Sequence, residues 1–448
     1  MKIALFVHCF FPDHFYGTET YTLQVAKSLR ARGYEVVVVA GVFQGEPRNG
    51  AMLTRYVYDG LPVIAFDKNF LPHQNVFETY WQENARPILR KILDELRPDL
   101  VHVTHLVNHT GVLVEEAKAA GYPVVATLTD FFGFCYTSKL ETADGQLCKG
   151  PNRLRTNCIA CYDKASGNWP RRAYKISIMA ERLYGLQRST NDDRHLYPID
   201  GLIKRPQKLL AVYQHYDAMI APTQFLYDAY VRNGFDKSKL RLSRFGVEID
   251  RREKPMPDAA VPLTIGYIGQ IAAHKGVDLL LEAARALKPG SFRLKIYGPM
   301  DASPYCETLR RLATADTEFC GTFSSGDFRT VLDGMDALAI PSTWYENSPL
   351  VLLNALAAHT PVIVSGVQGL TEFLDGGNGW SFERGSVQSL TKLLHDLVAD
   401  PAKTRAHNHT TRYTRTIEVM VDEVVDAYGQ ALGGRPCVAP QPAMQTGE

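Results

Sequence analysis

The sequence predicts an α/β protein of two doubly wound domains. Short apolar runs rich in β-branched residues alternate with amphipathic stretches of helical period. The alternation is interrupted by a charged, proline-bearing segment and then starts again. The 448 residues also exceed what one compact core holds.

In the first series, Ile3–Val7, Val36–Ala40, Leu100–Thr104 and Val124–Leu128 read as strands buried on both faces. Between the first two, Thr18–Arg32 sets Tyr21, Val25 and Leu29 on one helical stripe and stops at Gly33. That strand, helix, strand unit, repeated, gives a parallel sheet with helices on both faces. Tyr216–Ala221 and Leu240–Phe245 continue it. Residues 251–262 carry Pro255, Pro257 and Pro262 and read as an exposed linker. The second series runs Leu263–Ile268, helix Val277–Leu287, Phe292–Tyr297, helix Pro304–Ala313, Ala337–Ile340, helix Pro349–Ala358 and Val362–Val364. The expected division is a domain at 1–250, a domain at 263–415, a last amphipathic helix within 416–432, and a tail 433–448 with too little apolar content to pack. Two such domains across a hinge would place a ligand cleft at the carboxyl ends of their sheets.

Bulk composition narrows the classes. With 45% hydrophobic residues, 22% charged and a net charge of +1, nothing favours nucleic acid as a partner. No apolar run is long enough to cross a bilayer. The opening Met1–Phe11 has one lysine and an apolar stretch, but it contains His8, meets Pro12 and Asp13, and lacks a small-x-small cleavage site. It reads as a first strand, and the chain as cytoplasmic. Eight cysteines there point to thiols or a metal rather than disulfides.

The most informative segment is Ser342-Thr-Trp-Tyr-Glu346-Asn347-Ser348-Pro349-Leu350-Val351 with Asn354 further on and Pro361-Val-Ile-Val364 after it. Ser348 reads as an N-cap and Pro349 as the first helical residue, which leaves the amides of Leu350 and Val351 pointing outward. Such a helix start suits an anion, a diphosphate above all; an ordinary capped, buried helix fits the local pattern equally well. The second series opens with Gly266-Tyr-Ile-Gly269-Gln270-Ile-Ala-Ala-His-Lys275-Gly276, a strand that delivers a glycine turn and then a cation. Lys275 could neutralise a diphosphate, or be a solvated lysine at a helix start. After the first strand, Tyr16-Gly17-Thr18-Glu19 leads directly into a helix, and Gly17 would let backbone approach a ligand. No G-x-G-x-x-G follows a strand, and there is no G-x-x-x-x-G-K-[ST] loop.

Together these stretches resemble glycosyltransferase family 4, retaining transferases of the GT-B fold, in which two Rossmann-like doubly wound domains face each other across a cleft. The resemblance covers about residues 1–45, 97–135, 215–250 and 262–385. It implies a hexosyltransferase-type enzyme moving a sugar from a nucleotide diphosphate donor to a glycan or lipid-linked glycan, as in surface polysaccharide biosynthesis, with no catalytic metal. It implies Lys275 as the diphosphate cation and Glu346 as the sugar contact, the first glutamate of an E-x7-E motif. Gly17, Gly269, Gln270, Ser348, Leu350, Val351 and Asn354 would complete the donor site, and Asp130 would serve the chemistry. The chain departs from the family where Asn354 replaces the second glutamate, which holds the ribose, where Gln270 replaces an arginine, where Thr129 precedes Asp130 in place of histidine, and where His359 replaces a glycine. Asn354 can still bond a ribose hydroxyl, without charge assistance. Thr129 does not titrate near neutrality, whereas Asp130 can. Retaining transfer asks the fold for positioning and leaving-group stabilisation, because the leaving diphosphate can take the acceptor's proton. Two rival readings stand beside this one: a catalytically weakened sugar-nucleotide-binding protein, and a nucleotide-sugar epimerase.

Cys135, Cys148, Cys158 and Cys161 fall within one insertion, about 131–165, and the last two form a C-x2-C. Four thiolates describe structural zinc; free thiols and an iron–sulfur cluster are the alternatives. Family members associated with surface-polysaccharide assembly look similar here. From Lys164 to Lys208 there are ten Lys or Arg against four Asp or Glu, interleaved with Trp169, Tyr174, Ile176, Ile178, Met179, Leu183 and Tyr184. This stretch would lie against anionic headgroups at the inner face of the membrane; a solvated helical pair is the plainer reading.

Overall fold

The structure is a computed structural model. It describes every residue except 44, 48–49, 167–196, 251, 259–260 and 434–448. The expected tail and most of the basic stretch therefore lie outside the described residues. Two compact units divide the chain: 1–221 with 227–241 and 423–448, and 222–226 with 242–422.

The first unit is built on an eight-stranded sheet. Its strands are β1 (Lys2–Val7), β2 (Glu35–Val42), β3 (Leu53–Tyr58), β4 (Leu61–Asp67), β5 (Leu100–Val103), β6 (Val124–Thr127), β7 (Ala218–Ala221) and β8 (Leu240–Leu242). The order is β3-β4-β2-β1-β5-β6-β7-β8, with β1 parallel to both β2 and β5. Every residue of β5, β6 and β7 is buried, as continuous apolar runs require. Helix Gly17–Ala31 buries Tyr21, Val25 and Leu29, and Gly33, at φ +86°, turns the chain into β2. The antiparallel β3–β4 hairpin was not anticipated. Its turn is Asp59-Gly60, both at positive φ, which matches the twist of the strands it joins.

The second unit holds six parallel strands: β9 (Leu263–Ile268), β10 (Phe292–Tyr297), β11 (Thr317–Gly321), β12 (Ala337–Ile340), β13 (Val362–Ser365) and β14 (Gly379–Phe382). They are ordered β11-β10-β9-β12-β13-β14. One core joins Ile265, Tyr267, Leu280, Leu294, Ala339, Ile363 and Leu394 across the sheet and its helices.

The proline-bearing stretch expected as an exposed linker is exposed at 252–253 and 255–258, and it is tied to the second unit at a few points. Lys254 is buried, and its Nζ donates to the Leu332 carbonyl at 2.6 Å and Thr360 Oγ1 at 2.8 Å. Arg405, itself held by Asp336, donates to the carbonyls of Asp258 and Val261. Those buried charged donors fix the backbone that the prolines leave without ladder bonds. The C-terminal helix, Ile417–Ala431, passes from the second unit to the first between 422 and 423. Within the first unit its Tyr428 is fully buried, 2.7 Å from His102 Nδ1.

Candidate functional site

In the second sheet β9 lies between β10 and β12, so the strand order reverses there and the loops leaving β9 and β12 open a crevice at their carboxyl ends. Both loops carry the expected residues. Lys275 Nζ, on the β9 loop, meets Glu346 Oε1, on the β12 loop, at 2.7 Å. The same oxygen accepts from Ser342 Oγ at 2.6 Å and Trp344 Nε1 at 2.9 Å. Burial opposes ionisation of Glu346, but the Lys275 charge and these hydrogen bonds outweigh it and hold the carboxyl below its ordinary value. Lys275 also sits over the Trp344 ring, 4.9 Å from its centroid.

Backbone demands fix this arrangement. Gly276 follows Lys275 at φ +70°, and a Cβ there would lie 2.1 Å from the Pro341 carbonyl oxygen. Gly369, at φ +86°, leaves even less room, since its Cβ would lie 1.6 Å from the Glu346 carbonyl oxygen. Gly276 thus lets the β9 loop, and Gly369 the loop after β13, close on the β12 loop that carries Glu346.

The helix start departs from expectation. Pro349 is the N-cap and the helix runs Leu350–Ala357; Ser348 adopts a left-handed φ of +60° and its buried Oγ has no hydrogen-bond partner. A capping serine needs extended backbone, and Ser348 does not have it. The first intrahelical bond runs from Leu352 N–H to the Pro349 carbonyl at 3.0 Å, so the amides of Leu350 and Val351 precede it as expected. Asn354 donates Nδ2 to the Leu350 carbonyl of its own helix at 2.8 Å, which leaves its Oδ1 and its second N–H for a ligand. Gly269 donates its N–H to the Tyr297 carbonyl, and the Gln270 carbonyl accepts from Tyr267 Oη at 2.6 Å. Ser342 and Trp344, which hold Glu346, escaped the sequence reading.

Gly17 and Asp130 belong to the first unit. A Cβ at Gly17 would meet nothing within 4 Å, so no steric demand requires glycine there. Asp130 follows β6; its Oδ2 lies 3.1 Å from His105 Nε2 and its Oδ1 accepts from Phe132 N–H at 2.9 Å. Sequence reasoning missed His105, although it stands two residues past β5. A cavity lined by His105, Thr129, Asp130, Tyr213 and Tyr230 has about 10 Å³, room for a water and not for a sugar.

The four cysteines come near one another without reaching the spacing zinc needs. Cys158 and Cys161 lie three apart on helix Thr156–Ser166 rather than in a tight turn. Cys161 Sγ accepts from Tyr136 Oη and the Ala143 amide, and Cys148 Sγ from the Gly150 amide. Burial, then the charge of Cys135 and Cys148, push the Cys158 thiol up to about 12. No three of the sulfurs lie within 4.8 Å of one another, whereas a tetrahedral site with Zn–S near 2.3 Å has edges of roughly 3.8 Å. As placed, the four thiols do not fit zinc.

The described cations of the basic stretch are engaged within the protein. Lys164 pairs with Asp144 and Lys204 with Asp200; Lys208 Nζ lies 3.2 Å from the Trp81 ring centroid. Arg205 is buried, donating to the Phe132 carbonyl and stacking on Tyr80 and Phe132. No helix among the described residues is long and apolar enough to cross a membrane.

This pair of sheets, with a polar crevice at the carboxyl ends of β9 and β12, is the GT-B fold. Residues 251–415 match the family described as Glycosyl transferases group 1, and residues 16–176 the Glycosyl transferase 4-like domain. Both matched domains are glycosyltransferase domains, and the fold is GT-B. It is 28% identical over 174 residues to the amylovoran biosynthesis glycosyltransferase AmsK of Erwinia amylovora, covering 36% of this chain and 42% of that one. It is 27% identical over 175 residues to the putative colanic acid biosynthesis glycosyltransferase WcaL of Escherichia coli, with the same coverage. The chain thus matches less than half the length of these curated relatives. Among solved structures, Anabaena HepE in complex with UDP and glucose superposes with a TM-score of 0.62 at 15% identity, over 96% of this chain and 99% of that one.

Proposed function

We propose that the chain is a retaining glycosyltransferase that moves a sugar from a nucleoside diphosphate sugar to a glycan or lipid-linked glycan during assembly of a surface polysaccharide. The observation that carries this is the Lys275–Glu346 pair at the β9/β12 crevice, beside a helix start with free first-turn amides. Lys275 and the amides of Leu350 and Val351 would take the charge of the departing diphosphate, and Glu346 would bond the donor sugar. The anomeric carbon–oxygen bond to phosphate breaks as the acceptor oxygen bonds to the same face, and the acceptor's proton passes to the leaving phosphate oxygen. The names of AmsK, an amylovoran biosynthesis glycosyltransferase, and WcaL, a putative colanic acid biosynthesis glycosyltransferase, support the acceptor class, and the UDP bound to HepE supports the donor class.

A second reading, a sugar-nucleotide-binding protein without turnover, is favoured by Asn354, a carboxamide that spends one donor on its own helix. Incubation with a panel of nucleotide sugars separates the two. The proposal expects transfer or slow donor hydrolysis, lost on Lys275→Ala with loss of the donor-induced thermal shift. Binding without turnover supports the second reading, an isomerised donor an epimerase, and unchanged kinetics in Lys275→Ala refute the site.

A further inference from the structure

We propose that His8, Cys9 and Glu19 form a binding site for a divalent cation of the zinc class in the first unit. In that sheet β1 lies between β2 and β5, so the strand order reverses at β1/β5. His8 and Cys9 leave the carboxyl end of β1, and Glu19 stands in the first turn of the helix that follows. Among the described residues, these three are the group of His, Cys, Asp or Glu whose ligand atoms all lie within 4.8 Å of one another.

The three ligand atoms are near enough to share one ion, and the His8–Glu19 edge already has tetrahedral spacing. With Zn–N near 2.0 Å, Zn–O near 2.1 Å and Zn–S near 2.3 Å, a tetrahedral site has N···O edges of about 3.4 Å and S···O edges of about 3.6 Å. His8 Nε2 lies 3.4 Å from Glu19 Oε1. Cys9 Sγ donates to the same oxygen at 2.8 Å, a thiol hydrogen bond that lengthens once its proton leaves. On binding, the Cys9 S–H bond breaks, the sulfur's electron pair goes to the metal, and the proton is released to solvent.

Electrostatics point the same way. Glu19 is 2% exposed, and among the described residues no lysine or arginine pairs with it; its partners are a thiol and an imidazole. A buried carboxylate without a cation is costly. A divalent ion would meet one carboxylate and one thiolate and leave the site neutral. Among the described residues His8 Nδ1 has no hydrogen-bond partner, and the ring packs on His105 with centroids 4.2 Å apart. A nitrogen, sulfur and oxygen donor set selects zinc over magnesium or calcium. Three protein ligands leave a fourth position for an oxygen ligand, water or a hydroxyl-bearing molecule.

The test uses the full chain, stripped of metal and titrated with Zn²⁺ alone, with Co²⁺ as a spectroscopic probe for thiolate-to-metal charge transfer. The variants are Cys9→Ser, Glu19→Gln and the double variant Cys158→Ser/Cys161→Ser, each checked for native circular dichroism. The proposal expects one equivalent of zinc in the parent and in the double variant. Affinity should fall at least tenfold in Cys9→Ser and Glu19→Gln, and the cobalt charge-transfer band should vanish in Cys9→Ser. No bound zinc in the parent, or zinc lost only in the double variant, overturns it. Should Cys9→Ser misfold, the isosteric Glu19→Gln decides. Zinc content does not depend on sugar transfer, so this proposal and the donor reading can fail separately.

Discussion

Replacing Glu346 with glutamine should destabilise the second unit by about 2–3 kcal/mol. One carboxylate oxygen accepts from Lys275, Ser342 and Trp344 at 2.6–2.9 Å, and the side chain is only 9% exposed. Breaking a buried ion pair typically costs about 3–5 kcal/mol because the surviving charge is stranded. Lys275 keeps 20% exposure and can regain some water, which places the loss toward or below the lower end of that range. Urea unfolding of the parent, Glu346→Gln, Lys275→Met and the double variant closes a thermodynamic cycle. The coupling should be about 1.5–3 kcal/mol, with the double variant losing less than the two singles together. The pH dependence supplies an independent sign. The folded carboxyl is held below its ordinary value of 4.5, so its contribution is fully present above that value and is lost as pH falls through the lower, folded one. The parent should therefore lose more stability than Glu346→Gln on acidification below about pH 4.5. A Glu346→Gln cost under about 0.5 kcal/mol, or additive singles, would refute the pair as the organiser of the β9/β12 loops.

Two further substitutions probe neighbouring physics. Gly276→Ala should cost at least 2 kcal/mol or so, since it adds left-handed strain to a Cβ 2.1 Å from the Pro341 carbonyl, and chemical denaturation would show it; a cost below about 1 kcal/mol would mean the loop can move away. Lys68 is buried, its Nζ has no hydrogen-bond partner among the described residues, and burial pushes its pKa down to about 8. Because the unfolded chain binds that proton up to 10.5, parent stability should rise between about pH 8 and 10.5. Lys68→Met should stabilise by about 2–3 kcal/mol at pH 7 and gain little at pH 10.5, as measured by unfolding at both values.

What was legible in the sequence follows from which interactions are local. The central strands β1, β5, β6, β7, β9, β12 and β13 were readable because burial on both faces demands an unbroken apolar run. Edge strands escape that demand: β3 alternates half-buried and exposed residues, and β11 and β14 are mostly half-buried. For β3 a local signal did exist, in Asp59-Gly60 between alternating residues. Lys275 and Glu346 were legible because each stands in a loop just past a strand, where the ladder makes no claim on a charge. The cap at Ser348 failed because the loop around Glu346 forces that residue into a left-handed conformation, which no spacing rule foresees. The C-x2-C spacing is ambiguous by itself, because Cys158 and Cys161 are i and i+3 on a helix, a spacing shared by zinc turns and ordinary helical faces.

The His8, Cys9 and Glu19 group was hidden for a different reason. Ten residues separate Cys9 from Glu19, and nothing in that spacing specifies contact. Contact arises because a right-handed strand-to-helix unit brings the carboxyl end of its strand beside the first turn of its helix. The same rule, applied in the second unit, sets Lys275 at the end of the β9 loop and Glu346 beyond β12. In each unit the polar residues gather where the strand order reverses, because neighbouring loops there leave in opposite directions and leave polar groups without ladder partners. The second unit meets that demand internally, by pairing a carboxylate with a lysine. The first unit buries a carboxylate against a thiol and an imidazole, and that unmet charge is what the proposed cation site rests on.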